Sequence, residues 1–259
     1  MKKIAIILYL VAIACIAAAQ PFTNKEVGID EHLGDTIPLN LTFVNEKGDT
    51  VTLKQLVNKP TVIAPVYFDC PGICSRLLEG VANVIEETNI VLGKDYDVIT
   101  FSFNDIDTPE KARMKKVNFI TNLSDEEAQS WHFLTGDSTA IVPLLNSIGY
   151  KIRIAGLDFI HPSAIVIVSP EGKITRYLYG LKFLPFDLKM AVVEAQHGIA
   201  RPTANRILEF CFSYEPEGRR YTLEVTKLAG IFTLLVLAVF LLTLLFRRRK
   251  ASKKTENEQ

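Results

Sequence analysis

A short apolar segment that leads into two cysteines at the start of a helix constrains the fold of this chain more than any other stretch. Residues 61–68 (TVIAPVYF) are mostly apolar, β-branched or aromatic and end in a turn at Asp69, which is typical of a buried strand. Residues 75–87 then repeat apolar side chains at helical spacing. Cys70 and Cys74 therefore lie at or just before a helix N-terminus, where free N–H groups and the helix dipole favour the thiolate.

Strand and helix patterns alternate along the rest of the chain, which predicts an α/β domain with a mixed sheet flanked by helices. Pro71 suits the first position of the helix after the cysteines, where its missing N–H costs nothing. Thr108 and Pro109 fit the N-cap and first position of a later helix. The other predicted elements are a hairpin at 41–53, strands at 96–103, 131–135, 164–168 and 174–178, helices at 111–120, 137–148 and 186–195, and strands at 207–214 and 219–225.

Both ends of the chain carry patterns of export and membrane anchoring. Residues 1–19 combine a basic start, an apolar run and small residues before Gln20, which predicts a secretory signal peptide. A lipoprotein signal at Cys15 is the weaker alternative, because the preceding residues lack the usual leucine. The uncharged run 228–246 would span about 28 Å as a helix, close to a bilayer core. The basic residues 247–250 predict that its far end stays in the cytoplasm, and a buried core helix is the weaker alternative.

These patterns predict a single-pass cell-membrane protein whose main domain lies on the extracytoplasmic (periplasmic) side. A formal net charge of zero, without a basic stripe before the membrane segment, gives no support to a nucleic-acid partner. The predicted organisation is a signal peptide at 1–19, an extended lead-in at 20–40, the α/β domain at 41–196, a connector at 197–227, a transmembrane helix at 228–246 and a cytoplasmic tail at 247–259.

Three hypotheses fit a Cys-x-x-x-Cys pair outside the cytosol. The pair can form a structural disulfide, or act as a redox dithiol of thioredoxin type, although that type usually separates its thiols by two residues. It can also bind a soft metal, since two thiolates on one helix face suit copper or zinc. After loss of Cys15 the chain keeps Cys70, Cys74 and Cys211. Cys211 is interpreted as a small buried residue, with thiol exchange as the alternative.

His161 favours the metal hypothesis. It stands directly before Pro162 at the entrance to the strand at 164–168. In a thioredoxin-like sheet the turn before this strand carries a cis-proline, so a cis bond at Pro162 would direct His161 toward Cys70 and Cys74. Two thiolates and one imidazole are a ligand set suited to copper. The alternative is a surface or core histidine without a ligand role.

The other histidines, and the acidic residues ahead of the helix that begins near Pro109, show no comparable pattern. His32, His132 and His197 have no cysteine or carboxylate at ligand spacing, so exposed or structural roles are expected. Asp105 and Asp107 are interpreted as caps of the following helix. The sequence shows neither a glycine-rich phosphate loop nor a Ser–His–Asp pattern.

Four segments together form a more specific pattern. They are Cys-Pro-Gly-Ile-Cys at 70–74 after a strand, Ser-Phe-Asn-Asp-Ile-Asp-Thr-Pro-Glu at 102–110, His161 ahead of an apolar strand, and Ser-Pro-Glu-Gly-Lys at 169–173. Across residues 38–190 or so the chain thereby resembles the Sco/SenC family of thioredoxin-fold copper proteins, which assist assembly of cytochrome c oxidase.

The resemblance implies a thioredoxin-like fold and a copper site, for Cu(I) or Cu(II), formed by Cys70, Cys74 and His161. It implies a metallochaperone rather than an enzyme, with the copper-bearing subunit of the oxidase or its assembly factors as partners. A membrane-anchored thiol–disulfide oxidoreductase that uses the same cysteine pair is the alternative, because metal binding and disulfide exchange use the same sulfurs. A membrane-tethered scaffold with a structural disulfide is the third hypothesis.

The chain departs from the family pattern at several positions around the predicted site. Gly72 and Ser75 replace an acidic residue and a proline that are common in the family, and Asn104 stands where an aspartate would fall. Ile160 replaces the acidic residue directly before the histidine, with Asp158 two positions further back. No ligand is lost, but the residues that would orient the histidine differ. The C-terminal anchor also differs from the N-terminal anchor common in the family.

Overall fold

The computed structural model describes residues 27–156 and 158–201, the strand pair 212–215 and 220–223, and positions 233, 237 and 240. The chain divides into two units, 1–201 and 202–259. The predicted signal peptide, Cys211 and nearly all of the predicted transmembrane helix lie outside the described residues. Within the described part, no helix has the length and apolar character that crossing a membrane requires.

The first unit contains eleven strands and six helices among its described residues. In chain order the strands are β1 (Gly28–Ile29), β2 (Thr42–Asn45), β3 (Thr50–Thr52), β4 (Thr61–Val66), β5 (Asp97–Ser102), β6 (Trp131–Thr135), β7 (Tyr150–Lys151), β8 (Arg153–Ala155), β9 (Asp158–Ile160), β10 (Ala164–Val168) and β11 (Ile174–Tyr179). The helices are α1 (Leu53–Leu56), α2 (Ile73–Glu87), α3 (Pro109–Val117), α4 (Asp125–Gln129), α5 (Ser138–Ser147) and α6 (Pro185–Gln196).

A seven-stranded mixed sheet forms the centre of this unit, in the order β11-β10-β4-β5-β6-β2-β3. Strands β4, β5 and β6 run parallel, and all other neighbours pair antiparallel. Every residue of β4 and β5 is buried, which explains why β4 is apolar after Thr61, whereas β5 also buries Asp97, Thr100 and Ser102. The predicted mixed sheet with flanking helices is confirmed, and the carboxyl ends of the parallel strands meet at one edge of it.

Helix α2 covers the sheet with an apolar face that includes Leu77, Leu78 and Val81. Its one glycine, Gly80, allows the chain at Leu181 to approach closely, because a Cβ atom there would lie 2.1 Å from the Leu181 carbonyl oxygen. The helix therefore packs between the sheet and the segment that leads into α6.

Local capping signals predicted helix starts well, with one exception. The Oγ1 atom of Thr108 accepts a hydrogen bond from the Lys111 N–H, with Pro109 in the first turn, and Asp137 caps α5 through the N–H groups of residues 139 and 140. The prediction that Pro71 occupies the first position of the helix was wrong, because α2 begins at Ile73 and has Gly72 as its N-cap. Pro71 therefore precedes the helix and belongs to the turn that carries Cys70.

Several described elements differ from or extend the expected pattern, among them the short helices α1 and α4, which the sequence did not predict. The β8–β9 hairpin was not predicted, because its residues are exposed or only partly buried and show no clear alternation. Within the predicted lead-in, β1 pairs with β7, and Ile37 is buried in the core. The second unit contains an antiparallel pair, β12 (Phe212–Glu215) and β13 (Arg220–Leu223), which confirms two predicted strands with shifted ends.

Candidate metal centre

The two cysteines lie in the turn between β4 and α2. Cys70 is half-buried in this turn, where its N–H donates to the Tyr67 carbonyl oxygen at 3.3 Å. Cys74 is buried in the first turn of α2, and its N–H donates to the Cys70 sulfur at 3.5 Å. Both thiols are free. The pair thus presents one accessible and one enclosed sulfur at a helix N-terminus.

His161 lies between β9 and β10 and completes the group. It is buried, and its Nε2 atom lies 3.4 Å from the Cys74 sulfur. The donor atoms of Cys70, Cys74 and His161 all lie within 4.8 Å of one another. The structure therefore brings together the three residues that the sequence predicted as ligands, and they form a possible metal site.

The route by which His161 reaches the thiols differs from the expected one. Cis peptide bonds are absent from the described residues, so the hypothesis of a cis bond at Pro162 is wrong. The ring is instead held on its Nδ1 side. This atom lies 2.8 Å from the Pro162 carbonyl oxygen and 3.3 Å from the Tyr150 hydroxyl. With Nδ1 held there, Nε2 faces Cys74.

Aromatic rings enclose the imidazole. Its centroid lies 5.2 Å from that of Phe103 and 6.0 Å from that of Tyr67. Phe159 of β9 packs against both of these rings, at 5.4 and 5.1 Å. The Tyr67 hydroxyl donates to Asp158 at 3.2 Å, so the nearest preceding acidic residue contacts the aromatic wall. This wall lowers the local dielectric around the donor atoms and strengthens their electrostatic interactions.

The two thiols have opposite tendencies to ionise. A hydrogen bond from Cys74 lowers the pKa of the Cys70 thiol to about 3, against the effect of burial, and backbone N–H groups also favour the thiolate. Burial raises the pKa of the Cys74 thiol, and the neighbouring Cys70 thiolate raises it further. The metal-free site therefore holds a thiolate on Cys70 and a proton on Cys74 at neutral pH.

Asp107 stabilises the turn that carries Cys70. The sequence interpretation missed this role because it assigned Asp107 as a helix cap. Its buried carboxylate accepts hydrogen bonds from the Phe68 N–H at 2.8 Å and the Ser102 hydroxyl at 2.6 Å. Lys111 pairs with Asp107 at 3.4 Å and also with Asp69, directly before Cys70. Asp107 thus fixes the turn that carries the first cysteine.

The role of Asp107 can be inferred from the sequence only once the pairing of the strands is known. Asp107 follows β5, and the turn with Phe68 follows β4; the two strands are parallel neighbours, so their carboxyl ends meet. Asp105, the other acidic residue of this loop, accepts from the Ser138 hydroxyl at 2.8 Å instead. Neither residue is the N-cap of α3, which is Thr108.

Comparison with known proteins connects this arrangement to a family. The family model described as SCO1/SenC matches residues 31–185, which is more than half of the chain. The chain belongs to the SCO1/SenC family. The SCO1 protein homolog of Bacillus subtilis (strain 168) is 26% identical over 159 residues, covering 58% of this chain and 80% of the relative.

Solved structures show the same fold. A protein of Aquifex aeolicus VF5, for which electron transfer has been suggested, matches with a TM-score of 0.58 and 31% identity, over 64% of this chain and 95% of that one. Arabidopsis thaliana ScoI, solved with copper bound, matches with a TM-score of 0.50 and 21% identity, over 61% and 96%. The predicted thioredoxin-like α/β fold is confirmed.

The donor set of this SCO1/SenC protein suits a soft metal ion. Two sulfurs and an imidazole nitrogen are ligands that copper accepts, and the free Nε2 side of the ring faces the sulfurs. The family departures at Gly72, Ser75 and Asn104 remove no donor atom. The Ser75 hydroxyl accepts from Lys115 at 2.9 Å, which places a cation beside the helix start.

The other three histidines of this chain do not belong to the candidate metal site. The Nδ1 atom of His32 lies 3.0 Å from the Ser147 carbonyl oxygen, and His197 is exposed at the end of α6. His132 lies on β6, where burial lowers its pKa and so favours the neutral form. Within the part of the chain that the structure describes, none of these three joins a cluster of potential metal ligands.

Proposed function

We propose that this SCO1/SenC protein is a copper metallochaperone that binds its cargo through Cys70, Cys74 and His161. The observation that carries the proposal is the convergence of two sulfurs and one imidazole nitrogen within 4.8 Å. A dithiol reductase needs no third donor, whereas a copper site gains both affinity and geometry from one. Arabidopsis thaliana ScoI, which has the same fold, was solved with copper bound, and this supports copper as the ion.

The three residues of the site have different roles in the binding and release of copper. Cys70 is a thiolate before the ion arrives and is half-buried, so it is the first donor to meet copper and the donor that a partner reaches first. Cys74 is buried and protonated, so its ligation releases a proton. His161 supplies Nε2 from within the aromatic wall. A site with one accessible donor and two enclosed donors suits transfer between proteins.

We propose that the recipient is the copper-bearing subunit of cytochrome c oxidase or one of its assembly factors. Membership of the SCO1/SenC family supports this partner, since BsSco, a structural neighbour with a TM-score of 0.52, is described as a member of the Sco family of cytochrome c oxidase assembly proteins. The predicted signal peptide and the apolar run 228–246 support a main domain on the extracytoplasmic side and a C-terminal membrane anchor.

Copper titration of the reduced full chain tests the proposal. We expect one copper per chain, with a sulfur charge-transfer band in the Cu(II) form. Cys70→Ser, Cys74→Ser and His161→Ala should each weaken binding strongly, whereas His197→Ala, which changes an exposed histidine at the end of α6, should not. Copper binding by reduced His161→Ala that is as tight as that of the parent would contradict the chaperone site.

A second candidate function is thiol–disulfide exchange, favoured by the low pKa of the half-buried Cys70 beside a protonated partner. The Cys70 thiolate would attack a substrate disulfide and form a mixed disulfide, displacing one substrate thiolate. Cys74, after losing its proton to that thiolate, would then attack the Cys70 sulfur of the mixed disulfide and release the second substrate sulfur as a thiolate, which takes a proton from water. The products are a reduced substrate and a Cys70–Cys74 disulfide, which an external dithiol reduces again.

Reduction of a model disulfide separates the two candidates. Activity that disappears in Cys70→Ser and survives in His161→Ala would establish the oxidoreductase function, because the imidazole is not needed for exchange. Loss of copper binding in His161→Ala, with no disulfide reduction by the parent, would leave the chaperone function alone.

A further inference from the structure

The buried hydroxyl of Tyr150 contacts both groups that hold His161. It donates to the Pro162 carbonyl oxygen and lies 3.3 Å from the His161 Nδ1 atom. The tyrosine is almost completely buried and lies on β7, outside the central sheet. It precedes His161 by eleven positions, and the β8–β9 hairpin lies between them in the sequence. It therefore connects the imidazole, through polar contacts, to a strand outside the loop that carries His161.

The hydrogen-bond roles at this point follow from chemistry. A carbonyl oxygen can only accept, so the 2.8 Å contact between Nδ1 and the Pro162 oxygen requires a proton on Nδ1. The Tyr150 hydroxyl gives its own proton to the same oxygen and presents lone pairs to the ring. Both partners therefore favour the Nδ1–H tautomer, which leaves the lone pair of Nε2 directed at Cys74.

The position of Tyr150 is itself fixed. Its strand pairs with β1, with Tyr150 opposite Ile29. Gly149 next to it has φ near +60°, and a Cβ atom there would lie 1.7 Å from the Asp30 carbonyl oxygen. The tyrosine ring also packs against Phe103 at 6.3 Å. Because the backbone at Tyr150 is constrained in this way, its hydroxyl has a fixed position relative to His161 and Pro162.

We propose that Tyr150 is a positioning residue that keeps His161 in the Nδ1–H tautomer and aims Nε2 at the two thiols. The hydrogen bond between His161 and the carbonyl of its own neighbour Pro162 is local, whereas the Tyr150 hydroxyl connects both of them to a different element, β7. Ile160, directly before the histidine, has no polar side-chain atom for this purpose. The effect on copper binding rests on the proposed function, whereas the effect on the tautomer does not.

Histidine-selective ¹⁵N NMR of the reduced, metal-free full chain tests this inference at about pH 8, above the ordinary histidine pKa. The parent should show His161 as the Nδ1–H tautomer, and Tyr150→Phe should show a mixture of tautomers. Copper affinity of Tyr150→Phe should fall about tenfold, as is typical when a hydrogen-bond partner of a metal-binding histidine is removed. The imidazole assignment comes from His161→Ala.

Tyr177→Phe is the matched control. It removes a buried tyrosine hydroxyl that donates to the Ile148 carbonyl oxygen at 3.1 Å, two residues before Tyr150, and accepts from the His32 N–H at 3.1 Å. Its His161 tautomer and copper affinity should equal those of the parent. A general loosening of the β7 region would instead change both variants alike, which would overturn a specific role for Tyr150.

The outcomes separate the inference from the proposed function. An unchanged tautomer and unchanged copper affinity in Tyr150→Phe would overturn the inference while the copper site stands. A parent that binds no copper, but whose tautomer changes in Tyr150→Phe, would overturn the proposed function and leave the positioning role intact. If Tyr150→Phe does not fold, the parent spectrum still decides, because a predominant Nε2–H tautomer excludes the role of Tyr150.

Discussion

The Nε2 atom of His161 lies 3.4 Å from the sulfur of Cys74, although 87 residues separate them in the chain. The contact exists because β10 pairs antiparallel with β4, so the segment before β10 meets the turn after β4. The sheet therefore assembles the candidate metal centre from two distant segments. Any change that shifts the β4–β10 register would separate these donors.

Cys70 should react with an alkylating reagent at a rate that changes little between about pH 5 and pH 8, because its pKa is lowered to about 3 and it is already a thiolate. An ordinary cysteine becomes roughly tenfold faster per pH unit over this range, since its pKa is about 8.5. Cys74 should remain unmodified, because it is buried and protonated. Mass spectrometry after timed iodoacetamide labelling of the reduced full chain measures both.

Cys74→Ser is the informative variant in this labelling experiment. The hydrogen bond from Cys74 is the largest cause of the lowered Cys70 pKa, and a hydroxyl can replace it only in part. The labelling profile of Cys70 in the variant should therefore shift to higher pH. If parent Cys70 were to become tenfold faster with each pH unit above pH 6, the assignment of the thiolate to Cys70 would be wrong.

Asp107→Asn should destabilise the domain by about 2 kcal/mol and weaken copper binding. The Phe68 N–H and the Ser102 hydroxyl donate to the same carboxylate oxygen, and a neutral amide oxygen in its place accepts both bonds more weakly. The amide NH₂ group then replaces the oxygen that faces Lys111, so Lys111 loses one of its two carboxylate partners. Urea unfolding followed by circular dichroism gives the stability. Asp105→Asn is the matched control in the same loop, since Asp105 is exposed and contacts Ser138. Equal effects of the two substitutions would contradict the role of Asp107.

Gly80→Ala should also destabilise the domain, although alanine normally stabilises a helix by about 1 kcal/mol relative to glycine. The added Cβ atom would lie 2.1 Å from the Leu181 carbonyl oxygen, so either α2 or the chain at Leu181 must move. We expect a loss of about 1–3 kcal/mol in the free energy of unfolding. A gain of stability in urea denaturation would show that the two segments are not in close contact.

The sequence predicts those parts of the fold that depend on local chemistry. Thr108 and Asp137 identify helix starts because a capping side chain bonds to N–H groups two or three residues away. The buried strands β4 and β5 are visible because each is a short segment rich in β-branched and aromatic residues. The three candidate ligands are visible because their residue types and flanking patterns match a family motif.

The supporting contacts were not predictable in the same way, because they depend on which strands become neighbours. Asp107 reaches the Phe68 N–H only because β4 and β5 are parallel neighbours. Tyr150 reaches His161 only because the hairpin between them folds out of the sheet. The expected cis bond at Pro162 was wrong because these contacts orient the imidazole with a trans backbone. A single sequence contains no pattern that indicates such contacts between residues that are brought together by strand pairing.

The buried ion pair between Lys116 and Glu46 holds α3 against the sheet, and its removal should be among the most destabilising single changes. Their charged atoms lie 2.6 Å apart with both side chains almost inaccessible, and the Glu46 carboxylate also accepts from the Phe133 N–H at 3.1 Å. Lys116→Met leaves that carboxylate buried without its cation and should cost about 3–5 kcal/mol. Arg113→Met on the same helix, which breaks the exposed pair with Glu110, should change stability by less than about 1 kcal/mol.

The pH dependence of this loss distinguishes an electrostatic cause from a packing defect. Burial opposes ionisation of Glu46, but the hydrogen bond and charge of Lys116 outweigh it and hold the pKa of Glu46 below its ordinary value of 4.5. A lowered folded pKa means that the pair stabilises the fold above about pH 4.5 and loses this contribution as the pH falls through the folded pKa. The difference in unfolding free energy between parent and Lys116→Met should therefore be full near neutral pH and shrink in acid. A difference that stays constant from about pH 7 to pH 3 would mean that lost packing, and not the ion pair, destabilises the variant.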